Sequence, residues 1–290
     1  MARQFVRSNS TVQLSTLSFS RTHFQQLAKE NVEIYEKGKY LNEKGTEVEI
    51  QEAMKLSIKN TKHFHYEEEL KVPKKKDVFK TKIHVCFAFC VKAGLKLKNH
   101  SGRHVGILNS ANATKPGGKY MSGCLSQESC LCRGSLLWPT LAQYEDKPNT
   151  MYTINATDEF KLSPSSCAIY SPLVPVHRRD AFEAQFLEGH QECSFVSIPP
   201  PNAFELADDC VVRETLKKHI SRALCIFSQE GCEDLVLCTY GCGTRGNDPK
   251  MVAEVFNVSV NSTSELCNFK NVNNVFKLTL HCFATLLCRR

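Results

Sequence analysis

The sequence predicts an α/β fold, a sheet covered by helices on both faces. Three observations carry this expectation. Apolar runs of strand length alternate with helical apolar spacing from residue 83 onward. Two glycine-bearing loops each follow such a run and precede a helical pattern. A chain of 290 residues with 42% apolar content can bury a sizeable core. The charged fraction, 23%, excludes a wholly disordered chain. A net charge of +7 leans toward anionic partners without the bias of a nucleic-acid coat. No apolar run reaches the roughly 18 residues of a membrane span, so no membrane partner is expected.

Taken in order, Met1–Lys29 carries Arg3, Arg7, Arg21 and Lys29, many Ser and Thr, and no acid before Glu30. It lacks the apolar core of a secretory signal. The expectation is a disordered or capping segment in a cytoplasmic or nuclear protein, with a mitochondrial transit peptide as the alternative. Residues 22–58 have helical spacing: Phe24, Leu27, Val32, Ile34 and Tyr35, a stop at Gly38, then Ile50, Met54 and Ile58. A lysine run from Lys71 to Lys82 reads as a solvated linker. Together these form an N-terminal helical, basic extension over 1–80, ahead of a main domain over 81–290. Strands are expected at 83–91, 104–108, 167–170, 194–198, 234–238 and 275–280, and helices at 127–142, 208–228 and 249–257. The 208–228 helix is the clearest. Asp208 or Asp209 caps it, Val212, Leu216, Ile220, Ala223 and Phe227 line one face, and Gly231 ends the unit.

The 15 cysteines are an odd number, scattered from Cys86 to Cys288. Their spacing makes no paired C-x-x-C units, so neither a disulfide framework nor a metal site is expected. Buried free thiols are the reading preferred over a Cys130 or Cys132 nucleophile with His177. Trp138 reads as core.

The two loops are 108–123 (LNSANATKPGGKYMSG) and 240–249 (YGCGTRGNDP). Glycines between a strand and a helix let backbone N–H groups approach a phosphate, and the helix N-terminus adds partial positive charge. In the second loop Asn247 or Asp248 can cap the helix that Pro249 opens. Gly241, Gly243 and Gly246 also match G-x-G-x-x-G, with Glu265 as a ribose-binding acid, which makes a nicotinamide-dependent oxidoreductase an alternative. With 44 residues left after Gly246, there is too little chain for a doubly wound sheet built on that loop.

The order of motifs resembles microbial-type poly(ADP-ribose) glycohydrolases. Residues 108–141 resemble the family signature of a strand ending in Asn, a glycine loop, and Gln-Glu-Glu opening a helix with Cys-Arg downstream. YSPLVPVHRR at 170–179, SIPPPN at 197–202 and YGCGTRGNDPKMVAEVF at 240–256 resemble further family segments, and LAKENVEIYEKGKY its accessory helix. The resemblance implies a macrodomain-like three-layer sandwich that binds ADP-ribose, or poly(ADP-ribose) on modified proteins, with no cofactor. The family reaction hydrolyses the ribose–ribose O-glycosidic bond. It implies ligand-binding roles for Asn109, Asn112, Gly117, Gly118, Lys119, Gln127, Gly241, Gly243, Arg245, Gly246 and Asn247, and catalytic positions at Glu128 and Ser129.

Two serines depart from the pattern. Ser129 stands at the second Glu of Gln-Glu-Glu, the family's catalytic carboxyl, and removing such a group typically costs on the order of 10²–10⁴ in rate. Asn109-Ser110-Ala111-Asn112 also resembles the Asn-Ala-Ala-Asn motif of mono-ADP-ribose hydrolysing macrodomains, and Ser122 falls at their water-positioning Asp. Lys119 replaces the third glycine of the loop, and Arg245 replaces an aromatic. Glu128 matches the family's ribose-contacting Glu, and a helix N-terminus favours its ionised form, which argues against its taking over as the acid. The expectation is therefore an ADP-ribose binder with weakened or lost hydrolysis. An active poly- or mono-ADP-ribose hydrolase using Glu128 is the alternative.

Overall fold

The structure is a computed structural model that describes residues 19–71, 82–85, 88–180, 182–206, 208–261 and 271–274. Helix α1 (Arg21–Lys37) starts at Ser20, whose hydroxyl accepts from the His23 N–H, and ends at Gly38 in the left-handed conformation. The hairpin β1 (Lys39–Leu41) and β2 (Glu47–Glu49) leads to α2 (Gln51–Asn60) and β3 (Lys62–Phe64). Then come β4 (Lys82–Val85), α3 (Cys90–Ser101), β5 (Val105–Ser110), α4 (Gln127–Gly134), α5 (Leu137–Ala142) and α6 (Met151–Asn155). The chain continues through β6 (Ala168–Arg178), β7 (Phe186–Ile198), α7 (Asp209–Gln229), β8 (Asp234–Leu237), α8 (Pro249–Asn261) and β9 (Asn271–Asn274).

One sheet of seven described strands has the order β3-β6-β7-β5-β8-β9-β4. From β7 to β4 the strands are parallel, and β6 and β3 add antiparallel pairs at one side. Successive side chains of a strand point to opposite faces, and the cores divide accordingly. Ile107, Cys193, Phe195 and Ile169 pack with α1 to α5. Leu108, Val196, Ile198 and Tyr170 pack with α7 and α8 on the other face. The result is the three-layer sandwich. The parallel order brings the C-terminal ends of β5, β7 and β8 to one edge, where open α/β sheets place their ligands.

Several expectations change. The strand expected over 83–91 is present as β4 and does not reach residue 91, since α3 already begins at Cys90 with Val91, Leu95 and Leu97 facing the core. The helix over 127–142 is two helices, parted where Ser135 bridges Val176 of β6. The helical spacing of 22–58 is interrupted by the β1–β2 hairpin. Before residue 80, β3 is a strand of the main sheet and α1 packs on α4. The strand expected at 275–280 and residues 72–81 of the lysine run lie outside the described residues. The capping expectations hold: Asp208 accepts from the Cys210 N–H, and Asp248 accepts from the N–H groups of Lys250 and Met251. Most of the described cysteines are buried.

Candidate functional site

The first loop leaves β5 at Asn109, a buried side chain whose amide donates to Ser197 Oγ of β7 at 2.9 Å and, at 3.4 Å, to Glu128 Oε1. Asn112 donates its backbone N–H to Glu128 Oε2 at 2.8 Å. Its side-chain oxygen accepts from the N–H groups of Thr114 and Lys115, the Asx-type turn that shapes the loop. Gly117 and Gly118 both have positive φ, 68° and 58°, conformations that other residues adopt only at a cost. A Cβ on Gly117 would lie 3.0 Å from Trp138 Cδ1, so the half-buried indole supports the underside of the loop. Lys119 follows, exposed.

Helix α4 approaches the loop with its N-terminus. Gln127 spends its amide on β5, accepting from the Ser110 N–H and donating to the Leu108 carbonyl, both at 2.8 Å. That pairing fixes the helix against the strand. Glu128 is only 2% exposed. Burial pushes its carboxyl up to about 8, even though the Asn112 and Gly117 N–H groups, the Asn109 amide and the nearby Arg245 charge act in the opposite direction. Desolvation outweighs these hydrogen bonds and the Arg245 charge, and so acts against the ionised form that a helix N-terminus favours. Ser129 is 0% exposed. Its hydroxyl donates to the Gly117 carbonyl at 3.2 Å and accepts from Ser126 Oγ at 2.9 Å, which closes it beneath the loop. Ser122 sits in a 3-10 turn, where its carbonyl accepts from Arg21 Nε at 2.7 Å.

The second loop leaves β8. Gly241 has φ +72°, and a Cβ there would collide with the Asn247 amide and lie 2.8 Å from Pro200 Cβ. Asn247 is buried and donates to the Pro201 and Tyr240 carbonyls. The Arg245 carbonyl accepts from the Ala203 N–H at 2.8 Å. These bonds tie the 241–247 loop to the 199–206 segment after β7. Phe204, 74% exposed, lies over Gly246, where a Cβ would run into its ring. Gly243 and the Arg245 side chain are half-buried. The loop follows β8 rather than opening the sheet, which does not fit a dinucleotide fingerprint, and Glu265 lies outside the described residues.

The residues expected at the site therefore converge on one edge, but they divide by accessibility. Asn109, Gln127, Ser129 and Asn247 are committed to holding the loops. Asn112, Gly118, Lys119, Gly243 and Arg245 retain exposed surface. His177 is not paired with a thiol: its buried ring donates from Nε2 to Asn31 Oδ1 at 3.0 Å, and burial pulls its pKa well down. The sequence reading missed the wall that completes the cleft. Asn155, Phe160, Lys161 and Asn202 line it with Asn112 and Arg245. Only Asn202, inside the SIPPPN segment, lay in a segment already singled out. Among the described residues no group of three or more His, Cys, Asp or Glu could hold a metal ion. No described helix is long and apolar enough to cross a membrane.

The family model of the microbial-type PARG catalytic domain matches residues 28–179, more than half of the chain. The chain belongs to the microbial-type poly(ADP-ribose) glycohydrolase (PARG) family. The solved PARG from Thermomonospora curvata is 28% identical, with a TM-score of 0.80 over 91% of this chain and 99% of that one. The same enzyme bound to the inhibitor ADP-HPD is 27% identical with a TM-score of 0.79 over the same shares of the two chains. PARG from Deinococcus radiodurans in complex with ADP-ribose is 28% identical with a TM-score of 0.67, covering 81% of this chain and 96% of that one. No curated protein matches. The PARG segment 28–179 runs from α1 to the end of β6, so it contains the first loop and α4 but not the second loop.

Proposed function

We propose that the chain binds ADP-ribose, free or at the ends of poly(ADP-ribose) on modified proteins, between the 109–119 and 241–247 loops, and that its glycohydrolase activity is weak or lost. Solved PARG relatives hold ADP-ribose or the inhibitor ADP-HPD. In this reading the amide of Asn112, whose oxygen is already spent in the turn, faces the distal ribose. The 117–119 turn at Gly117, Gly118 and Lys119 takes one side of the diphosphate, with Lys119 as its cation. Gly241, Gly243 and Arg245 take the other, and Arg245 supplies a fixed guanidinium. Glu128 anchors the loop and so orients Asn112. Asn109, Gln127, Gly246 and Asn247 position the loops.

One observation carries the loss of activity. At the family's catalytic position Ser129 offers a hydroxyl, and that hydroxyl is bonded to Gly117 and Ser126. A neutral hydroxyl cannot exchange a proton near pH 7 as a tuned carboxyl does. The second reading, hydrolysis through Glu128, is favoured by the raised pKa of that carboxyl, since a general acid must be protonated at working pH. Its burial and its engaged oxygens oppose it. Calorimetry with ADP-ribose, alongside release of ADP-ribose from a poly(ADP-ribosyl)ated protein, tests the proposal. Binding with release near background is expected. Brisk release that Glu128→Gln abolishes would establish the second reading instead, and absence of ADP-ribose binding would defeat both.

A further inference from the structure

We propose that Cys130 is a reactive thiolate, held ionised by the buried guanidinium of Arg133, and that it is a site of oxidation by peroxides. This inference does not depend on the ADP-ribose reading above. Arg133 is 0% exposed, and among the described residues no carboxylate pairs with it. Its Nη2 donates to Cys130 Sγ at 3.4 Å, and its guanidinium lies over the Phe24 ring, 4.8 Å from the centroid. Its Nε and Nη1 have no acceptor. The contact of Cys130 Sγ with the Leu125 carbonyl, at 3.8 Å, is the longer one. Arginine stays charged at any working pH, and a lone charge is expensive to bury, so Arg133 calls for an anion beside it.

The other acids in this part of the core do not supply that anion. Burial pushes the Cys132 thiol and the Tyr120 phenol up, and the Glu128 carboxyl up to about 8, so all three keep their protons near neutral pH. Glu30 pairs with Arg178, whose Nη2 donates to it at 2.9 Å. Burial holds His177 neutral, so it adds no second cation to the thiol. Cys130 differs from Cys132 in exposure. It is half-buried, at the rim of the cluster formed by Phe24, Leu27, Phe182 and Ala184. A cysteine is reactive where its surroundings are electropositive and partly exposed, and Cys130 meets both conditions, with Arg133 in the role that the sequence offered to His177. In the oxidation, Sγ attacks one oxygen of hydrogen peroxide and the O–O bond breaks. The sulfur is oxidised to a sulfenic acid, and the other oxygen leaves as hydroxide, which takes a proton from solvent. The new oxygen is an acceptor beside a guanidinium with two N–H groups that lack one.

The test follows alkylation of the folded full chain by iodoacetamide from pH 7 to pH 9, with peptide mass spectrometry reading Cys130 separately from the other thiols. N-acetylcysteine is the reference, and its rate rises at least about tenfold over this range as the ordinary thiol ionises. The rate at Cys130 is expected to change by less than about twofold. A folded Arg133→Met variant should regain the steep rise. In a second arm, hydrogen peroxide followed by dimedone, which traps sulfenic acids, should tag Cys130, and Cys130→Ser should remove that tag. The unaltered chain decides the matter even without the Arg133 variant. A Cys130 rate that rises in parallel with N-acetylcysteine overturns the proposal, and so does a Cys130 that iodoacetamide does not reach. A flat profile that survives in Arg133→Met removes the guanidinium as its cause and overturns it too. Dimedone tags at other cysteines and none at Cys130 overturn the oxidation site. None of these readouts uses ADP-ribose, so the binding proposal stands or falls separately.

Discussion

The Glu128 carboxyl receives the backbone N–H of Asn112 at 2.8 Å while sealed from solvent, so the first loop is pinned to the start of α4 by an acid held protonated near neutral pH. This one contact links loop shape, local stability and pH.

Stability should fall as pH rises through the window set by Glu128. Its pKa is raised from 4.5 to about 8, so between those values the unfolded chain has released a proton that the folded chain keeps. The stabilising contribution is complete below the unfolded value and is lost on passing the folded one, with a slope of up to about 1.4 kcal/mol per pH unit. Glu128→Gln, which cannot ionise, should lack this component. Melting temperatures of both proteins from pH 5 to 9 measure it, and parallel profiles would show that Glu128 does not hold the proton.

Ser129→Glu should restore a carboxyl at the position expected to be catalytic. Release of ADP-ribose should rise by about 10²-fold, toward the contribution typical of one placed acid–base group. The variant should also be less stable, because the new side chain displaces a fully buried hydroxyl bonded to Gly117 and Ser126. Unchanged release in a folded variant would mean that other departures, such as Lys119 or Arg245, also disable the site.

Gly241→Ala should destabilise the chain by about 2 kcal/mol or more and abolish ADP-ribose binding. The positive φ alone costs about 1 kcal/mol for a residue with a side chain. The added methyl would also be driven against the Asn247 amide and Pro200, which the loop cannot give up without losing its ties to 199–206. Denaturant titration and calorimetry on one sample separate the two effects.

Asn31→Ala should cost about 2–4 kcal/mol, a large value for one polar side chain. Its amide caps the end of α4 by donating to the carbonyls of Cys132 and Arg133 at 2.7 and 3.0 Å, and its oxygen accepts from His177. Truncation leaves buried groups unpaired on both sides of the α1 packing. Urea unfolding measures the loss, and a change below about 0.5 kcal/mol would show that α1 is only lightly docked.

Sequence alone determined much of this protein. The 3.6-residue spacing of Val212, Leu216, Ile220 and Phe227 and the cap at Asp208 define α7 locally, because side-chain period and capping are properties of a few neighbouring residues. The order of the two glycine loops and the serine at 129 were legible for the same reason. Tertiary structure decided what depends on surroundings. The strand patterns did not reveal the long β6–β7 hairpin or that residues 62–64 would join the main sheet, since strand pairing links residues distant in the chain. The raised pKa of Glu128 comes from desolvation, a sum over everything packed around it, and it runs against what the helix N-terminus alone implied. The cleft wall at Asn155, Phe160, Lys161 and Asn202 carries no motif, and only folding brings those residues opposite Asn112 and Arg245.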